Sequence, residues 1–111
     1  SFYQRKEVKD LLAYFRLTIN NKDEESLKRV INYPARGIGN RTVEKIMAAA
    51  GETDTSVWEI MSKLNQLNLG ISAAAQSRIF DFVSMIKNFS TQAESKNAYT
   101  LAELIASSSG I

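Results

Sequence analysis

Apolar residues recur along most of this chain at the three-and-four spacing of a helix, and nowhere with the sustained alternation of a strand. Val8, Leu11, Leu12, Phe15 and Ile19 line one face of a first helix, which Asn20, Asn21 and Asp23 interrupt. Leu27, Val30 and Ile31 mark a short second helix. It is opened by Asp23, Glu24 and Glu25, whose charge suits a helix N-terminus, and Pro34 is expected to end it. Asn40 is the expected cap of a third helix, with Val43, Ile46, Met47 and Ala50 inward and Gly51 as its stop. Ser56 is expected to cap a fourth, with Val57, Ile60, Met61 and Leu64 inward. Gly70 separates it from a long fifth helix that starts near Ile71 or Ser72 and carries Ile79, Phe82, Val83, Ile86 and Phe89. Residues 90–98 read as a polar linker. Thr100 reads as the cap of a last short helix through Leu101, Leu104 and Ile105, and residues 107–110 as a tail without an element. The pattern predicts an all-α fold, a compact bundle of about six helices in one domain over residues 1–111. Trp58 is expected in the core rather than on the surface as a base-stacking platform.

Composition narrows the chemistry. The chain has no cysteine and no histidine, which excludes disulfides, thiolate or imidazole metal sites, cysteine nucleophiles and Ser-His-Asp catalysis. Its apolar runs are too short to span a membrane, and no signal peptide is visible. It opens on Ser1-Phe2-Tyr3 without a methionine, as expected of a piece of something longer. The net charge of +2 conceals an asymmetry: residues 1–50 hold ten Lys/Arg against six Asp/Glu, residues 51–111 four against six. The basic half points to an anionic partner.

That half also contains the most distinctive stretch, Tyr33-Pro34-Ala35-Arg36-Gly37-Ile38-Gly39-Asn40-Arg41-Thr42. Gly37 and Gly39 leave the backbone bare, and Ile38 between them is expected to turn into the core and anchor the turn. The amides of Gly37, Gly39, Asn40 and Arg41 can then converge on a phosphate at the start of the third helix. Arg36, Arg41 and Lys45 lie beside that point, the last two sharing a helix face four residues apart. Ile31, Pro34, Gly37, Ile38, Gly39, Thr42 and Ile46 match the spacing of a helix-hairpin-helix motif, which grips the DNA backbone without reading bases. There is no G-x-x-x-x-G-K-[ST] loop for ATP, and Thr42 breaks the G-x-G-x-x-G pattern of a dinucleotide site. The acids Asp23, Glu24 and Glu25 read as a helix start rather than a metal site.

Two linked motifs carry a resemblance. Phe2-Tyr3-Gln4-Arg5-Lys6-Glu7-Val8-Lys9-Asp10 resembles the F-[FY]-x-R-x-E-[IV]-K-D segment of UvrD/PcrA/Rep-type superfamily 1 DNA helicases. In that family an Asn/Asp-rich break, here Asn20 to Asp23, and a P-x-R-G-I-G-x-x-T signature, here Pro34 to Thr42, follow in the same order. From Thr53 onward the likeness is looser. The resemblance implies most of subdomain 2B, the second helical insertion of such an enzyme, with residues 1–10 as a junction toward the absent motor. It implies that Arg36, Gly37, Ile38, Gly39, Asn40, Arg41 and Thr42 contact the sugar-phosphate backbone of duplex DNA. Lys45 is added from helix geometry.

The expected function is therefore a duplex-DNA-binding subdomain of an ATP-dependent 3′-to-5′ helicase of repair or replication. ATP and Mg2+ are implied for the parent, and no cofactor or catalytic residue for this chain. The expected partners are double-stranded DNA at a fork or junction, the remaining helicase subdomains and a regulatory protein. The expected location is cytoplasmic, with the nucleoid. The alternative is a regulatory protein–protein or interdomain module, motivated by the polar and acidic C-terminal half.

Overall fold

A computed structural model describes residues 5–33 and 35–110. The expectations on Phe2 to Gln4 and on Pro34 lie outside these. The described chain forms six α-helices and one 3-10 turn, without strands: α1 Arg5–Ile19, α2 Glu24–Val30, α3 Asn40–Thr53, α4 Val57–Ser62, the 3-10 turn Leu64–Gln66, α5 Ala73–Ala93 and α6 Ala98–Ser109.

The central element is α5. Ser72 caps it by accepting the Ala75 amide at 3.2 Å. Ile79, Phe82, Val83, Ile86 and Phe89 then fall on one face and are all buried. Fully burying each such side chain contributes about 1.5–3 kcal/mol. Helices α1, α4 and α6 pack on α5, α2 packs on α1, and α3 on α4. Leu27 of α2 and Ile31 just after it, Val43, Ile46 and Met47 of α3, and Val57 and Met61 of α4 meet around one small apolar gap. Trp58 lies in this core.

The first helix turns a different face inward from the one its apolar residues mark. Val8, Leu12 and Ile19 are exposed, Ile19 by 79%. The buried seam is Asp10, Ala13, Tyr14, Leu17 and Thr18, with Leu11 and Phe15 at its margin. Its two polar members are satisfied: Asp10 pairs with Arg29 Nε of α2 at 2.7 Å, and Thr18 Oγ1 donates to the Tyr14 carbonyl at 2.7 Å.

Helix ends also differ from expectation in five places. The cap residue of α3 is Gly39, with Asn40 already inside the helix. Gly51 lies within α3, which stops at Asp54 in the left-handed region (φ 53°), its amide donating to the Ala50 carbonyl. The polar stretch from residue 90 is not a linker at first: α5 continues to Ala93, because Ser90 Oγ donates to the Thr18 carbonyl of α1 at 2.8 Å. Finally, α6 is capped by Asn97, whose side chain accepts the Thr100 amide at 2.8 Å. It runs through Ser107–Ser109 to Gly110, whose φ of 87° ends it. Ser56 caps α4 as the sequence predicts, and α2 and α5 start where expected, with Asp23 and Ser72 as their caps.

Candidate nucleic-acid interface

The segment joining α2 to α3 is fixed from both sides. Asn32 grips the backbone of Ile38: its Oδ1 accepts the Ile38 amide at 3.0 Å, and its Nδ2 donates to the Ile38 carbonyl. The Ile38 side chain is 2% exposed, so it anchors the turn as expected. Gly37 stands at φ 73°, a conformation that favours glycine. Gly39 is extended (φ −71°, ψ 158°), and a Cβ added there would meet nothing within 4 Å. Its lack of a side chain is therefore not imposed by packing.

Directly after Gly39, α3 begins without a side-chain cap. Its first bond runs from the Val43 amide to the Gly39 carbonyl at 3.2 Å. The amides of Asn40, Arg41 and Thr42 are left without an acceptor in the described chain. No acid lies in this first turn. The positive end of the helix is thus open and uncompensated, a favourable place for an oxyanion.

The cationic side chains around it divide. Arg41 is exposed and has no partner among the described residues. Lys45, also exposed, donates to the Gly70 carbonyl at 2.8 Å and so reaches the loop before α5. Asn40 is exposed and Thr42 half-buried. Arg36 is turned away, into the body of the protein. Its Nη1 donates to the carbonyls of Val30 at 2.9 Å and Tyr33 at 3.0 Å, where a cation suits the C-terminus of α2. Its Nη2 donates to the Tyr14 hydroxyl at 2.6 Å, and that hydroxyl in turn donates to the Tyr33 carbonyl. The guanidinium also lies over the rings of Phe82 at 5.2 Å and Tyr14 at 5.8 Å. Burial pushes the Tyr14 phenol above its ordinary range despite the opposing Arg36 charge, so it remains a donor at neutral pH.

Three residues of this arrangement escaped the sequence. Asn32 could have been suspected as a short polar side chain bracketing a turn. Tyr14 carries no sequence signal that separates it from other helical core residues. Arg78, whose Nη1 lies 3.4 Å from the Gly37 carbonyl, comes from α5 and reaches the turn only through the tertiary fold.

The module is all-helical, with an open, acid-free helix start beside a bare glycine turn. A family model described as the UvrD-like helicase C-terminal domain matches residues 1–109, and the chain belongs to that family. It is 35% identical over 109 residues to the ATP-dependent DNA helicase PcrA of Staphylococcus epidermidis. To the protein of the same name from Staphylococcus aureus it is 31% identical over 109 residues. Each alignment covers 98% of this chain and 15% of the relative, so the chain spans about one seventh of the proteins it matches.

Proposed function

We propose that this chain is a duplex-DNA-backbone-binding subdomain of an ATP-dependent 3′-to-5′ DNA helicase acting in repair or replication. The observation that carries the reading is the start of α3, where three amides lack acceptors behind a glycine that packing does not require. One phosphate is received by the amides of Asn40, Arg41 and Thr42, with Gly37, Ile38 and Gly39 shaping the approach. Arg41 and Lys45 follow the backbone along the exposed face of α3. These contacts touch no base edge, so binding is independent of sequence. The opening turn of α1, with Glu7, Val8 and Lys9 exposed, faces the remaining subdomains as a junction. Use of ATP and Mg2+ belongs to the parent protein, in the cytoplasm.

Titration of a labelled DNA duplex tests this. Two or three phosphate contacts predict weak binding with a log–log salt slope of about −2 to −3. Arg41→Ala is expected to flatten that slope by about 0.9 without unfolding the protein. Absence of duplex binding even at low salt would overturn the proposal.

A second reading, a surface for a regulatory protein, is favoured by Phe80. It is 70% exposed beside an uncharged cleft of about 570 Å3, lined by Ser62, Asn65, Gln66, Gln76 and Ser77 among others. Partner capture abolished by Phe80→Ser and retained in Arg41→Ala is the result expected of that reading.

A further inference from the structure

The signature arginine is held by the body of the protein and not by the glycine turn it precedes. A guanidinium holds five N–H donors in a rigid fork. In Arg36 that fork serves the Val30 and Tyr33 carbonyls and the Tyr14 hydroxyl, with its face over Phe82. Withdrawing it toward a phosphate would strip the end of α2 of its cation and break its bonds to the Val30 and Tyr33 carbonyls and the Tyr14 hydroxyl. Arg78 stands against Gly37, in a cleft that Arg36 and Phe82 also line. Its guanidinium would lie 3.4 Å from a side chain begun at Gly37, an ordinary contact distance that places it directly against the turn. Arg78 is exposed, and its single hydrogen bond, to the Gly37 carbonyl, is long at 3.4 Å. Asp81, one turn along α5, shares with it a cleft of about 270 Å3 but forms no ion pair with it. Most of the Arg78 donors are thus available to a ligand at the turn.

We infer that Arg78 supplies the cationic phosphate contact beside Gly37, and that Arg36 is a positioning residue that holds the turn in place. This rests on the duplex-binding reading above. It assigns a contact to a helix that the signature does not include, and it moves the signature arginine from the ligand to the scaffold.

The test is the salt dependence of duplex binding by the parent chain, Arg78→Gln and Arg36→Gln, with folding followed by circular dichroism. Arg78→Gln is expected to melt like the parent, to weaken low-salt binding several-fold and to flatten the log–log slope by about 0.9. Arg36→Gln is expected to lower thermal stability and affinity while keeping the parent's slope, because it removes no phosphate charge contact. Should it fail to fold, Arg36→Lys takes its place. A lysine preserves a simple charge contact but not the fork, so a positioning role predicts lowered stability and affinity. An unchanged slope in Arg78→Gln, a flattened slope in Arg36→Gln, or parent-like stability and affinity in Arg36→Lys would each overturn the assignment. A parent chain without salt-dependent duplex binding would instead overturn the function on which the assignment rests, so the two failures are distinguishable.

Discussion

Gly39 before α3 and Ser72 before α5 hold almost the same extended backbone, φ −71° and ψ 158° against φ −61° and ψ 154°. Ser56 before α4 is a third copy, at φ −75° and ψ 154°. At Ser72 and Ser56 the hydroxyl accepts the amide three residues on. Asp23 and Asn97 do the same for α2 and α6. At Gly39 the geometry is present and the acceptor is missing. A serine cap would cost nothing sterically there. Four starts are satisfied by their own cap side chains, and the fifth leaves its cap position open to an outside acceptor. The proposed phosphate site thus rests on a local stabilising element that is left out.

The comparison can be broken most strongly at Asn32. Asn32→Ala removes both bonds that fix Ile38, and is expected to destabilise the protein by about 2 kcal/mol and to weaken duplex binding with it. Denaturant melts and a duplex titration of the same variant check this. Binding that survives the loss would mean that the start of α3 needs no preset turn. Ser56→Ala and Ser72→Ala are the controls. Each should cost about 1 kcal/mol in the same melts and leave duplex affinity at the parent value.

A smaller effect separates the caps by pH. The Ser26 amide, and then the Ser26 hydroxyl, hold the Asp23 carboxylate below its usual value of 3.8. A depressed carboxylate stabilises fully above the unfolded value, and that contribution is lost as pH falls through the lower folded one. The stability gap between the parent and Asp23→Asn should therefore narrow in acid, while the gap for Ser72→Ala stays constant. Melts repeated down the pH range compare the two.

Much of this architecture can be read from the pattern of residues, and the exceptions share a physical cause. The buried stripe of α5, the Ser56 cap and the starts of α2 and α5 are local, so spacing and polar side-chain placement reveal them. The inward face of α1 is not local. Its seam includes Asp10 and Thr18, which hydropathy assigns to solvent but which Arg29 and a carbonyl satisfy. Ser90 likewise reads as a break until α1 brings it the Thr18 carbonyl. The glycine turn announces itself in sequence, and the inward turn of Ile38 follows from it. The direction of Arg36 does not: only the meeting of α1, α2 and α5 places Tyr14 and Phe82 around its guanidinium. Arg78 stands far along the chain from Gly37, and no short-range pattern joins them.

Gly39→Ser tests the central claim most directly, because it writes the missing cap back into α3. Its hydroxyl would accept the Thr42 amide as Ser72 accepts that of Ala75. Stability should rise by a few tenths to about 1 kcal/mol, from the cap and from the stiffer unfolded chain. Duplex affinity should fall about tenfold as one charge-assisted amide–phosphate bond is lost, with the salt slope unchanged because no cation has been removed. Melting and duplex titration on the same preparation give both numbers. A more stable protein that binds duplex as well as the parent would contradict the account.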